Sequence, residues 1–138
     1  MASLPEPLEE CTYTYLVEGI HELTFRMPSE QALRQCFAYL DTIFSQAPTD
    51  QPLLLLSDIR QSGVPPAMPM WGLASSLRQN HPQRPLTYNA IVYPRGRISS
   101  FFILVMEQLA VLYQARIRFV AEEYETAKQW LLQSKGKR

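Results

Sequence analysis

The sequence predicts a single α/β domain built on a mixed sheet of four or five strands with about four helices. Three observations carry this. Stretches rich in β-branched and aromatic residues alternate with stretches of helical apolar spacing along nearly the whole chain. Leu53 to Leu56 form an unbroken apolar run, as expected of a strand covered on both faces in a parallel sheet. Two strand-like runs divided by Gly19 open the pattern, which predicts an N-terminal β-hairpin.

The elements follow in order. Met1 to Glu10 reads as a loose arm, because Pro5 and Pro7 interrupt any regular ladder. Thr12 to Glu18 and Ile20 to Arg26 form the hairpin, the second run alternating imperfectly between apolar and polar residues. Ser29 after Pro28 and before Glu30 marks a helix start. Leu33, Cys36, Phe37, Leu40 and Phe44 then recur every three or four residues, and the helix stops near Gln46, ahead of Pro48. The leucine run between Pro52 and Asp58 is the next strand. After a turn-rich loop, Gln61 to Pro69, a short helix carries Met70, Leu73, Ala74 and Leu77 and ends before His81-Pro82. Thr87 to Tyr93 reads as a buried strand, and Ser99 or Ser100 caps a third helix from Phe101 to about Gln114. Ile117 to Ala121 is a last strand. Tyr124, Ala127, Trp130 and Leu131 place a fourth helix, and 134–138 is a basic tail. The domain thus spans 12–133, with an arm at 1–11 and no internal repeat.

Composition narrows the function. The 138 residues carry 13 basic and 13 acidic side chains, so the net charge is zero. A nucleic-acid binder usually needs a basic excess to hold phosphates, so that class is not expected. The start of the chain lacks the basic and apolar regions of a signal peptide, and the most apolar run, Phe101 to Met106, is too short to span a bilayer. A cytoplasmic protein is expected. Cys11 and Cys36 form no Cys-x-x-Cys pair and read as buried thiols, with a disulfide as the alternative.

The order of elements, together with Phe119 followed by Glu122-Glu123-Tyr124-Glu125-Thr126-Ala127-Lys128-Gln129-Trp130-Leu131, resembles the SpoIIAA-like branch of the STAS superfamily. Members of that branch often end in a strand, an acidic cap and an Ala-x-x-Trp-Leu helix. The resemblance covers roughly Tyr13 to Leu132 and implies a regulatory or binding role rather than catalysis. STAS domains that antagonise anti-sigma factors carry a phosphorylatable serine, usually after Asp, where the helix following the central strand begins. Gly63 to Met70 holds neither residue, and Ser62, Ser75 and Ser76 lie outside that stretch, so the phosphorylation switch does not carry over.

The chain offers little for catalysis. His21 and His81 have no second His or Cys at ligand spacing, so no metal site is expected, and no glycine-rich phosphate loop or nucleophile elbow suggests a cofactor or an enzyme. Two clusters remain. Arg95, Arg97, Ser99 and Ser100 gather at a helix start, where backbone N–H groups favour an anion. In a parallel sheet Asp58, Arg60 and Ser62 would open onto the same edge, so this edge is a candidate for a phosphate or carboxylate on a ligand or partner.

The second cluster is apolar. Phe101 to Tyr113 is apolar around nearly its whole circumference, interrupted only by Glu107 and Gln108, so the helix should be covered on both sides. Phe101, Phe102, Val105, Met106 and Leu109, with Met68, Met70 and Trp71 from the preceding loop, are therefore expected to form an interface or an apolar pocket. Two readings compete: a protein-interaction module, most simply a homodimer, and a carrier or sensor enclosing a small apolar or anionic molecule.

Overall fold

The computed structural model of this chain describes residues 9–96 and 98–135. Most of the N-terminal arm, Arg97 and the end of the basic tail lie outside the described residues. Five strands form one mixed sheet in the order β1-β2-β3-β4-β5, as chain order would have it. They are β1 (Cys11–Tyr15), β2 (Ile20–Phe25), β3 (Leu53–Asp58), β4 (Thr87–Tyr93) and β5 (Ala115–Ala121). The first pair is antiparallel and the others are parallel. The intervening helices are α1 (Glu30–Gln46), α2 (Met68–Asn80), α3 (Ser100–Tyr113) and α4 (Tyr124–Ser134). The α/β fold class and its opening hairpin match the sequence expectation.

Local chemistry accounts for most boundaries, and three differ from expectation by two residues or more. β1 ends at Tyr15 rather than Glu18, because Leu16 to Gly19 are consumed by the turn. Leu16 N–H donates to Ile20 O and Gly19 N–H to Leu16 O, with Gly19 at φ +88°, a conformation that glycine adopts without steric cost. Helix α1 starts where Ser29 predicts, its Oγ accepting from Ala32 N–H at 3.0 Å. Helix α2 begins two residues before Met70, with Pro69 in its first turn, where a missing N–H costs nothing. Of the two candidate caps for α3, Ser99 takes the role. Strand β5 begins two residues before Ile117, since Gln114 turns left-handed at φ 55° and redirects the chain at once into the sheet.

The sheet separates two layers. On one face lie α1, α2 and α3 over a core that includes Leu23, Leu33, Ile59, Ile91, Phe102 and Val105. On the other, α4 alone sets Ala127 and Leu131, both fully buried, against Leu54, Leu56, Ala90 and Val92. Sequential strand order means that the sheet never reverses direction, so it lacks the switch point at which doubly wound sheets open a ligand crevice. Among the described residues no helix is long and apolar enough to cross a membrane.

Candidate functional site

The apolar cluster expected around α3 divides into an inner and an outer set. Its polar and apolar turns alternate less than those of a surface helix, yet only one stripe, Phe102, Val105 and Leu109, meets the sheet and is buried. Met70 of α2 is buried beside it, and Met106 is half-buried against the same core. Leu104 and Val111 stand on the opposite side with 52% and 79% of their surface exposed, and Phe101 and Leu112 flank that face with 54% and 46% exposed. Met68 and Trp71 in the first turn of α2 are exposed as well. Among the described residues the helix is therefore covered on one side only. Phe102, Val105, Leu109 and Met70 belong to the core and are unavailable to a partner; the outer residues are free to meet one.

The inner set lines real space. A cavity of about 90 Å³ lies between the sheet and the three helices, bounded by Pro65, Met70, Phe102, Met106 and Leu109 among others. A second, of about 110 Å³, adjoins it toward Leu77, Ala110 and Tyr113. Phe37, Leu40, Leu55, Asn89, Met106 and Leu109 are common to both walls. The space is mostly apolar; Arg84 and Thr87 line its outer part, and Ser57 and Asn89 put a polar pair on its floor. Ser57 of β3 and Asn89 of β4 project from neighbouring central strands toward the helices, and the serine hydroxyl donates to Asn89 Oδ1 at 3.0 Å. Asn89 gives no periodic signal and went unmarked in the sequence; a polar residue facing helices in mid-strand is the sign that would have revealed it.

The edge expected to bind an anion assembles differently. Parallel register brings the ends of β3 and β4 side by side, with Ile59 N–H donating to Val92 O. Arg60 is already engaged: its Nε and Nη2 donate to the two carboxylate oxygens of buried Asp58 at 3.0 and 2.8 Å. That pairing, foremost, and the nearby acids raise the arginine pKa further. Glu122, expected only as part of the acidic cap of the last helix, stands in the same place, its carboxylate accepting from Arg95 N–H at 2.6 Å. Ser99 Oγ caps α3, while Ser100 and the Arg95 side chain are exposed. Ser62 donates to the neighbouring Gly63 carbonyl. Arg97 lies outside the described residues.

A third place was missed altogether. Beside the edge strand, a groove of about 730 Å³ runs between the C-terminal half of α1 and the amino ends of β2 and β3. Tyr13, Tyr15, Tyr39 and His21 line it. Tyr13 stacks on Tyr39 with ring centres 5.4 Å apart, and Tyr15 leans on His21 at 4.7 Å. The alternation of Tyr13 and Tyr15, in register with Leu23 and His21, was the available signal. Burial lowers the His21 pKa, and burial followed by the charge of Tyr15 raises that of Tyr13. Both groups are thus held neutral near pH 7.

Among the described residues, no group of three or more His, Cys, Asp or Glu side chains stands close enough to hold a metal ion. In comparisons with known proteins, no family model matches the chain and no curated protein is significantly similar to it.

Proposed function

We propose that this chain is a non-enzymatic, STAS-like interaction module that self-associates through the outer face of α3. The observation that carries the reading is the concentration of exposed large apolar side chains there. Leu104 and Val111 share one face, Phe101 and Leu112 flank it, and Met68 and Trp71 begin the helix next to it. Patches of this kind mark protein contacts more often than they mark bare solvent-facing surface.

A second copy fits the face better than an unlike partner. Along the exposed stripe the order is Leu104, Glu107, Gln108, Val111, which reads nearly the same from either end. An antiparallel pair of helices about a twofold axis between Glu107 and Gln108 sets Leu104 against the partner's Val111. The same axis sets the Glu107 carboxylate against the partner's Gln108 amide, twice over. Fourteen residues give a helix about 21 Å long, and such a face buries well under the roughly 800 Å² per partner of a standard interface. The dimer is accordingly weak and concentration-dependent. Two free, buried thiols fit a reducing compartment, and a cytoplasmic location belongs to the same reading.

Light scattering coupled to gel filtration tests this directly. The mass of 15.9 kDa should climb toward twice that value as concentration rises, and Leu104→Lys or Val111→Lys should hold the protein at the monomer mass. A wild-type chain that stays monomeric to about 1 mM would remove the proposal.

A further inference from the structure

We propose that the paired cavities beneath α1 and α3 form a binding site for a small carboxylic acid with an apolar body. The inference does not rest on self-association, because it concerns the buried side of α3. Its starting point is Arg84, in the segment between α2 and β4, which lines the outer of the two cavities. The guanidinium lies over the Tyr113 ring at 5.5 Å, and Nη1 donates to His81 O at 2.9 Å. Its Nε is buried and has no hydrogen-bond partner. Among the described residues Arg84 forms no ion pair, and the nearby Asp41 is held by His81 Nε2 at 2.8 Å. A buried guanidinium N–H without an acceptor is costly, and a carboxylate offers the planar, forked complement that this group binds best.

The rest of the site provides for the body of such a molecule. Both cavities are walled by Phe37, Leu40, Leu55 and Leu109, and an apolar cavity of about 150 Å³ is known to take a benzene ring. Each space alone is smaller than that. Met106 lies in both walls, and an unbranched thioether side chain can change rotamer and join them. Asn89 also lines both. With its Oδ1 accepting from Ser57, the amide Nδ2 has no partner among the described residues and is a spare donor on the cavity floor. One ring in the joined space, a carboxylate oxygen toward Arg84 and a donor from Asn89 account together for the lining and for its two unfilled N–H groups.

Phenylacetate, benzyl alcohol and acetate separate the contributions. Titrated into the wild-type protein and followed by amide NMR, phenylacetate should bind at least about tenfold more tightly than either of the others. Shifts should fall on Asn89, Met106 and Leu109. Arg84→Gln should abolish the preference for phenylacetate over benzyl alcohol. Asn89→Asp, which keeps the side-chain shape and places an acid in the floor, should do the same while benzyl alcohol still binds. If Arg84→Gln fails to fold, Asn89→Asp decides alone. Equal binding of acid and alcohol, phenylacetate affinity unchanged in the folded variants, or no binding of phenylacetate by about 10 mM would each overturn the proposal.

Discussion

The Tyr13 hydroxyl lies 2.7 Å from Nδ1 of His21, and the two residues face the same groove from antiparallel neighbouring strands. Because burial lowers the His21 pKa, the folded chain resists a proton that the unfolded chain accepts. Below the ordinary histidine value near 6.5 the unfolded state therefore binds more protons, and stability falls as pH drops through that window toward the folded pKa. His21→Phe keeps a ring in the stack but cannot titrate. Urea unfolding at pH 7.5, 6.0 and 5.0 should show a smaller acid loss in the variant than in wild type, together with a loss of about 1 kcal/mol at pH 7.5 from the missing hydrogen bond. Parallel acid profiles would show that His21 is not held neutral by the fold.

Cys11 of β1 and Cys36 of α1 are both buried and free, and they meet across the first core. A hydrogen bond to Cys11 and then burial drive the Cys36 thiol well above the usual range. Thiolate is the reactive form, which Cys36 is held from adopting, and Cys11 is fully buried, so neither should react with a disulfide reagent such as DTNB in the native state, and both should react at once in denaturant. Rapid native labelling of one equivalent would mean that β1 opens readily from the sheet.

Much of this architecture was legible from residue types. The leucine run at 53–56 meant a strand buried on both faces, and it became β3, with Leu54 and Leu56 under α4 and Leu53 and Leu55 under α1. Ser29, Pro48 and Pro82 fixed helix limits, because a cap hydroxyl and a missing N–H act within one turn. What a single helix buries was less accessible. Phe102 and Leu104 are both large and apolar, two positions apart, yet the first is 3% exposed and the second 52%. Spacing alone could not divide a helix that is apolar all round; the division required the neighbouring sheet. Arg60 and Arg84 show the same limit for charge: Arg60 pairs with Asp58 two residues away, whereas Arg84 forms no ion pair among the described residues and leaves a buried Nε without an acceptor, a difference that residue type alone does not reveal.

The start of the fold depends on a few side chains that serve the backbone. Gln35 Oε1 accepts from both Glu10 N–H at 2.7 Å and Cys11 N–H at 2.9 Å, satisfying donors at the beginning of the edge strand. Ser29 Oγ caps α1 and donates to Glu10 Oε1 at 2.7 Å. Gln35→Leu leaves two part-buried donors unmade and should cost about 1–3 kcal/mol in denaturant unfolding. Ser29→Ala should cost about 1 kcal/mol. Both residues hold Glu10 to α1, so the double variant should lose measurably less than the sum of the single losses. Strict additivity would show that cap and clamp act independently.

Gln114 offers a change in the opposite direction. It closes α3 in the left-handed region at φ 55° and ψ 40°, a conformation in which its Cβ crowds the backbone, while its N–H still donates to Ala110 O. Glycine occupies this position without that penalty and is the residue most often found there. Gln114→Gly therefore removes strain from the folded state and adds chain entropy to the unfolded one, two effects of opposite sign. At a left-handed cap the first is the larger, and the variant should gain about 0.5–1 kcal/mol. Gln114→Ala serves as the control, since it shortens the side chain and leaves the Cβ in place. Alanine should be neutral or slightly destabilising in the same thermal and denaturant unfolding series. If glycine and alanine behaved alike, the left-handed turn between α3 and β5 would not be a source of strain, and the early start of β5 at Ala115 would need another cause.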